Sequence, residues 1–408
     1  MSAKFISLLF PKKTGPWIFI LFLFSVLFVP DFWPKPGLHL GVEEILIPLM
    51  LLHMALYPGK LIKGFTIFII VFSLYILFTI LLNFSTQTFS DYFEVYKILK
   101  YGIIVLFMTG VFEENKNLFD ITLRIFLPLL LLFNMLHYFN VLGFNQIIEP
   151  YYALSEIHLK NFGVDSLGNP AVKRMLGTAG NPNMNALIFL FFLTYFLSKL
   201  DSKKINGASV FVFMSLFGLG VCQSRTTMVA GILVVGKTLL IRRFSIKSFS
   251  LNAVIIFAAI LAGYFLSKYS YNYFTNTLLV PSENHSIQGR LSVWEILWEM
   301  VLQKPVFGHG PTKSFFYERV LYSDGEYILY LWRYGFIGLL FYLWWLISPL
   351  FRNFHVARKN GFFLLFVIGL LISAITNNPL SDPMILSLFA LATAHQFAYN
   401  EVYKSANT

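Results

Sequence analysis

Apolar runs of about eighteen residues or more alternate with polar intervals along most of the chain, and a run of that length suits one helix crossing a bilayer. About twelve such spans are expected, near 15–33, 38–57, 64–84, 90–112, 118–144, 181–199, 206–224, 226–241, 249–267, 327–350, 361–379 and 383–399. The pattern predicts an all-α, polytopic membrane protein in which residues 1–408 form a single integral membrane domain. The first apolar run has no small-residue cleavage site after it, so it is expected to remain as a span. Two polar intervals are long, about 145–180 and 268–326. Within the second, Leu291, Trp294, Leu297, Trp298 and Val301 recur at steps of three and four. That spacing predicts an amphipathic helix over 290–303, which its two tryptophans would seat flat at a membrane interface. Ser292 and Glu295 have capping-box spacing, and Pro305 is expected to stop the helix.

Composition agrees with this reading. The chain is 57% hydrophobic and 12% charged, whereas a soluble domain carries about 25% charged residues. The formal charge of +11 does not indicate nucleic acid, because the basic residues sit mostly between spans. Lys4, Lys12, Lys13, Lys60, Lys63, Lys199, Lys203, Lys204, Arg242, Arg243, Lys247, Arg352, Arg358 and Lys359 fall on one side of the expected layout. The positive-inside rule makes that side and both termini cytoplasmic, and the two long loops external. Cys222 is the only cysteine, which excludes an internal disulfide and a Cys-rich metal site. The linker in the middle is short and the longest loop is late and external, against the plan of a transporter built from two matching halves.

Against that charge bias, Arg174, Arg225 and Arg290 are expected on the external side. Arg290, just before the amphipathic stretch, reads either as a snorkelling residue on lipid phosphate or as a clamp on a substrate pyrophosphate. Arg225 follows Cys222-Gln223-Ser224 at a tight turn between two spans, where an arginine normally faces a cavity or a partner. Arg174 precedes Gly177 and Gly180, which allow tight turns, and Asn181, Pro182 and Asn183, which suit a helix start. An arginine beside a helix N-terminus is a natural anion site. His309, in Gly308-His309-Gly310, is a candidate general base or a turn residue, and Asp324 and Glu326 are candidate bases for a sugar hydroxyl. Asp91, Glu94, Lys97 and Lys100 form a stripe at steps of three, reaching about 15 Å down the expected helix. Charges at that depth face protein or water, as an ion-pair ladder between Glu94 and Lys97 or as a cavity wall. Glu43, Glu44, Arg124 and Lys237 raise the same question, and Arg333 is expected to join the cavity.

The chain has no Gly-rich phosphate loop ending in Lys-Ser/Thr, no His-Glu-x-x-His, no Gly-x-Ser-x-Gly and no Asp-x-Asp pair. ATP, zinc and nucleotide-sugar donors are therefore not expected, and no cofactor or metal is assigned. The ordered set Gly289-Arg290, Trp294, Pro305, Gly308, Gly310 and Gly335-Phe336-Ile337-Gly338, with Arg174, Gly177, Asn183 and Ser224-Arg225 before it, resembles the bacterial O-antigen polymerase and ligase family. It covers about residues 170–345.

The resemblance implies a GT-C-like, metal-independent membrane glycosyltransferase of the inner membrane. Such enzymes move a glycan from an undecaprenyl-pyrophosphate carrier to an acceptor on the external face. By position, Arg225 and Arg290, with Arg174, would hold the pyrophosphate. Asp324 or His309 would serve as base, and Glu94, Lys97, Lys100, Asn183, Glu326 and Arg333 would line the cavity. Asp324-Gly325 stands where the ligase branch commonly has His-Asn, which favours polymerisation of O-antigen, capsule or exopolysaccharide repeats. A chain-length regulator and a flippase are implied partners. A ligase acting on lipid A core, a lipid-linked oligosaccharide flippase and a related peptidoglycan polymerase are the rival readings.

Overall fold

The computed structural model describes residues 11–30, 32–35, 38–59, 62–144, 147, 174–200, 207–241, 285–313, 324–351 and 361–405. Among them the helices in chain order are α1 (Gly15–Phe28), α2 (Leu46–Leu56), α3 (Lys63–Leu82), α4 (Phe93–Glu114), α5 (Leu118–Phe139) and α6 (Pro182–Ser198). They continue with α7 (Ala208–Cys222), α8 (Arg225–Ile241), α9 (His285–Gln303), α10 (Glu326–Phe351), α11 (Phe362–Ser373) and α12 (Pro383–Ser405). Each expected span that falls among the described residues contains one of these helices. The expected span at 249–267, the external stretch 148–173 and the segment 314–323 lie outside them. The second expected span opens differently: β1 (Phe32–Lys35) pairs antiparallel with β2 (Leu38–Leu40), a 3-10 turn follows over Val42–Ile45, and only then does α2 begin. Among the described residues four segments are long and apolar enough to cross a membrane: Lys63–Leu82, Phe89–Glu114, Leu118–Phe139 and Glu326–Phe351.

The chain divides into two compact units. The first comprises Met1–Phe119, Gly289–Val356 and Leu386–Thr408. Here α4 packs against α1, α2 and α3, and α10 packs on α3. Aromatic rings fill the core: Tyr101 stacks on Phe389, meets Trp345 edge-on, and shares a 2.9 Å hydroxyl hydrogen bond with Thr393. α3 presents Ile67, Ile70, Val71, Leu74, Phe78 and Leu81 outward, the surface expected of a helix solvated by hydrocarbon.

The second unit comprises Asp120–Gln288 and Ala357–Ile385. It is built around α6, which is apolar on every side, and a helix of that kind must be enclosed. α7, α8 and α11 enclose it, and every residue from Asn185 to Leu197 is buried.

One span is broken. Inside α10, Gly335 has φ 64° and ψ −169°, outside the helical region. Gly335 lies against the backbone of the loop after α9, and a Cβ there would sit 2.2 Å from the Val306 carbonyl oxygen. Gly308, with φ 69°, is equally constrained, since its Cβ would meet the backbone of Arg333 at 2.5 Å.

Candidate functional site

The Gly-His-Gly turn owes its position to the break in α10. Interrupting a helix strands carbonyls before the break and amides after it, and inside a membrane each must be met by protein. Residues 305–310 meet them. His309 N donates to Trp332 O at 3.0 Å and Gly310 N to Arg333 O at 2.8 Å. In return Phe336 N donates to Pro305 O at 2.8 Å and Ile337 N to Val306 O at 3.5 Å, while Tyr75 Oη donates to Tyr334 O at 2.6 Å. α3 and the turn after it hold the loop from its other side. Lys304 Nζ donates to Asn83 Oδ1 at 2.6 Å, Asn83 Nδ2 to Gly308 O at 3.3 Å and Gln87 Nε2 to His309 O at 2.9 Å.

His309 is half-buried, with its ring stacked on Trp332. Its Nε2 lies 2.8 Å from Met300 O; a carbonyl only accepts, so Nε2 carries the proton. Desolvation pushes the His309 pKa below the usual histidine value, with the nearby Lys304 charge adding to the effect. The imidazole is thus a neutral strut between α9 and the loop.

α9 runs from His285 to Gln303, starting before the expected stretch. Ser292 and Glu295 therefore lie inside the helix and form no capping box; Ser292 Oγ instead donates to Gly289 O at 3.0 Å. The two tryptophans also diverge. Leu297 and Val301 pack with Trp332 and Leu329, and Trp294 Nε1 donates to Asp324 O at 2.6 Å. Trp298, with Leu291 and Leu302, faces outward. Seating Trp294 next to the start of α10 brings Arg290 to Asp324, and Arg290 Nε donates to Asp324 Oδ2 at 2.8 Å. The remaining guanidinium nitrogens of Arg290 have no hydrogen-bond partner among the described residues.

The charges on α4 form two separate ion-pair groups. Glu94 accepts from Lys97 Nζ at 2.5 Å and from Lys313 Nζ at 3.0 Å, and Arg333 is near enough to act on it electrostatically. Asp91 holds the same loop by its backbone, accepting from Lys313 N at 2.8 Å and Thr88 N at 2.6 Å. Lys100 turns instead to Glu43, at 3.1 Å, and Glu44, which also accepts from Tyr96. Glu326 is fully buried and accepts from Tyr342 Oη at 2.9 Å. Lys313 is the partner sequence reasoning missed: it sits in no periodic run, and only its position three residues past Gly310 marks it.

In the second unit, Arg174 reaches the end of α7. Its Nε donates to Cys222 O at 3.2 Å, and its Nη2 to Gln223 O at 3.2 Å and Asn183 Oδ1 at 2.8 Å. Gln223 adopts φ 53°, which ends α7 and turns the chain into α8, where Arg225 is the first residue. Arg174 is therefore a cation placed on the negative end of a helix. Asn181 caps α6, accepting from Asn183 N at 2.8 Å, with Pro182 at the first position. So Arg174, Asn183 and the turn that carries Arg225 are joined in one unit, and Arg290, Asp324, His309, Glu94, Lys97, Lys100, Glu326 and Arg333 belong to the other. Among the described residues no three His, Cys, Asp or Glu side chains converge as metal ligands would.

Long apolar helices, one of them interrupted by a docked polar loop, define a polytopic helical membrane protein. Residues 210–343 match the family model described as O-antigen ligase, which supports the O-antigen polymerase and ligase family for this chain without separating its branches. The match takes in Arg225, Arg290, His309, Asp324, Glu326 and Arg333. The family points to a glycosyltransferase-type enzyme of lipid-linked glycan processing in a bacterial membrane. No curated protein matches the chain.

Proposed function

We propose that the chain polymerises lipid-linked polysaccharide repeat units on the external face of the membrane, with both termini in the cytoplasm. The observation that carries this is the Arg290–Asp324 pair, 2.8 Å apart, at the head of a helix packed on the broken span and inside the family-matched segment. In this reading Arg290 acts on the undecaprenyl diphosphate of the donor, with Glu94, Lys97 and Arg333 of the same unit as further polar groups of the site. The acceptor hydroxyl oxygen attacks the anomeric carbon, the bond from that carbon to the diphosphate oxygen breaks, and the hydroxyl proton passes to a carboxylate. Negative charge grows on the departing diphosphate, which fixed guanidinium groups stabilise.

Asp324, paired with Arg290, fits the base; His309, whose Nε2–H is donated to Met300 O, could take a proton only on Nδ1. A diphosphate competing for Arg290 draws the guanidinium from Asp324 and leaves the carboxylate open to the hydroxyl proton, so donor binding and base activation are coupled. Arg290→Ala is expected to abolish long glycan chains while the protein still inserts; chains of normal length in that strain would refute the clamp. The description of the matched family favours a second reading, a ligase that transfers finished polymer to lipid A core. In a deletion strain, loss of a polymerase leaves single repeats on the core, whereas loss of a ligase leaves polymer on the carrier lipid.

A further inference from the structure

A cavity of about 280 Å³ opens in the first unit between the start of α1, the end of α2 and the end of α4. It lies at the opposite end of α4 from Glu94, about 30 Å away along the helix. Nothing in the proposed reaction uses it. Its floor is the buried His53, whose ring meets Phe107 edge-on at 5.3 Å and tilts over Tyr57 at 5.0 Å. Its rim carries one charge of each sign, Lys12 Nζ and Glu114 Oε1, 2.6 Å apart with about half of each side chain exposed. One wall is missing: Gly110 lines the cavity, and a Cβ there would meet nothing within 4 Å.

Glu114 ends a segment long and apolar enough to cross a membrane, so the rim lies at the boundary of hydrocarbon and water. An ion pair this exposed opens at little cost, which leaves a cation and an anion facing a void with apolar walls. We infer that this cavity binds the headgroup of a zwitterionic aminophospholipid. The phosphate pairs with Lys12 and the primary ammonium with Glu114. A purely anionic headgroup fits less well, because it sets its phosphate beside Glu114 with no cation of its own to offer.

The test uses the full chain, purified in mild detergent and observed by native mass spectrometry. The probes are 1-palmitoyl-2-oleoyl phosphatidylethanolamine and the matching phosphatidylglycerol. The wild type is expected to retain phosphatidylethanolamine at least tenfold better than phosphatidylglycerol. Gly110→Leu, which fills the void, and Glu114→Gln, which removes only the ammonium partner, are each expected to cut that retention about tenfold. Glu114→Lys is expected to reverse the preference. Equal retention of both lipids, retention unchanged in Gly110→Leu or Glu114→Gln, or no retained lipid would overturn the assignment. If Gly110→Leu fails to fold, as judged by its melting temperature, Glu114→Gln decides alone.

Discussion

Gly335→Ala tests whether the break in α10 is specified by backbone chemistry. The native φ 64°, ψ −169° lies in a region essentially restricted to glycine, and an L-residue there costs about 1–3 kcal/mol. The new Cβ would also sit 2.2 Å from the Val306 carbonyl oxygen. Relieving that clash moves the loop away and loosens the Phe336–Pro305 and Ile337–Val306 backbone hydrogen bonds, each worth about 1 kcal/mol net. Together these amount to roughly 3–5 kcal/mol, or two to four decades in the unfolding equilibrium. The measurement is unfolding of purified protein in mixed micelles titrated with sodium dodecyl sulfate, followed by tryptophan fluorescence. Gly289→Ala is the control, since Gly289 lies in α9 with nothing within 4 Å of its Cβ; it is expected to be neutral or to stabilise by up to about 1 kcal/mol. A loss below about 1 kcal/mol in Gly335→Ala would refute the account, because the chain would then hold this geometry without needing glycine.

Lys100→Met leaves Glu43 and Glu44 facing each other with their cation gone; breaking a buried pair from one side is expected to cost about 3–5 kcal/mol in the same unfolding assay, with Glu43→Gln restoring part of it. Lys313→Met is expected to cost less, about 1–3 kcal/mol, because Lys97 still pairs with Glu94, and a double-mutant cycle with Glu94→Gln should show coupling of at least about 0.5 kcal/mol. For His309 the folded pKa is depressed by burial below the unfolded value of about 6.5, so the unfolded chain takes up the proton first. Its contribution to stability is whole above about pH 6.5 and is lost as pH falls through the folded value, so unfolding titrations from pH 8 to pH 5 should show a fall that is shallower in His309→Asn.

Sequence reading succeeded where a feature depends on length and local chemistry. An apolar run long enough to cross hydrocarbon becomes a helix whatever it packs against, so most helices were legible. The cap at Asn181-Pro182 and the helix stop before Pro305 were legible for the same reason: each is settled within four residues. The break at Gly335 was not, because 327–350, apolar but for Arg333, reads as one continuous span and the interruption is imposed by a loop 25 to 30 residues earlier. The spacing of Ser292 and Glu295 is a real cap signal, yet the helix began upstream and left it no terminus to cap. The stripe on α4 gave the Glu94–Lys97 pair, which is local, and could not assign Lys100, whose partners sit on the 3-10 turn before α2.

The same distinction separates the three arginines. As sequence they are alike, each a cation expected on the side that the charge bias leaves poor in them. In the structure Arg174 gives three hydrogen bonds to two carbonyls at the end of α7 and to Asn183, fixing the turn from which α8 departs. That task uses donors on two separate nitrogens of a planar fork, which the single nitrogen of a lysine cannot reproduce. Arg290 gives one nitrogen to a carboxylate instead, and carboxylate is the partner that a phosphate oxygen can replace without stranding a backbone group. Arg225, at the first position of α8, depends on the turn that Arg174 secures. Losing Arg174 is therefore expected to loosen the turn that positions Arg225, whereas losing Arg290 frees the Asp324 carboxylate.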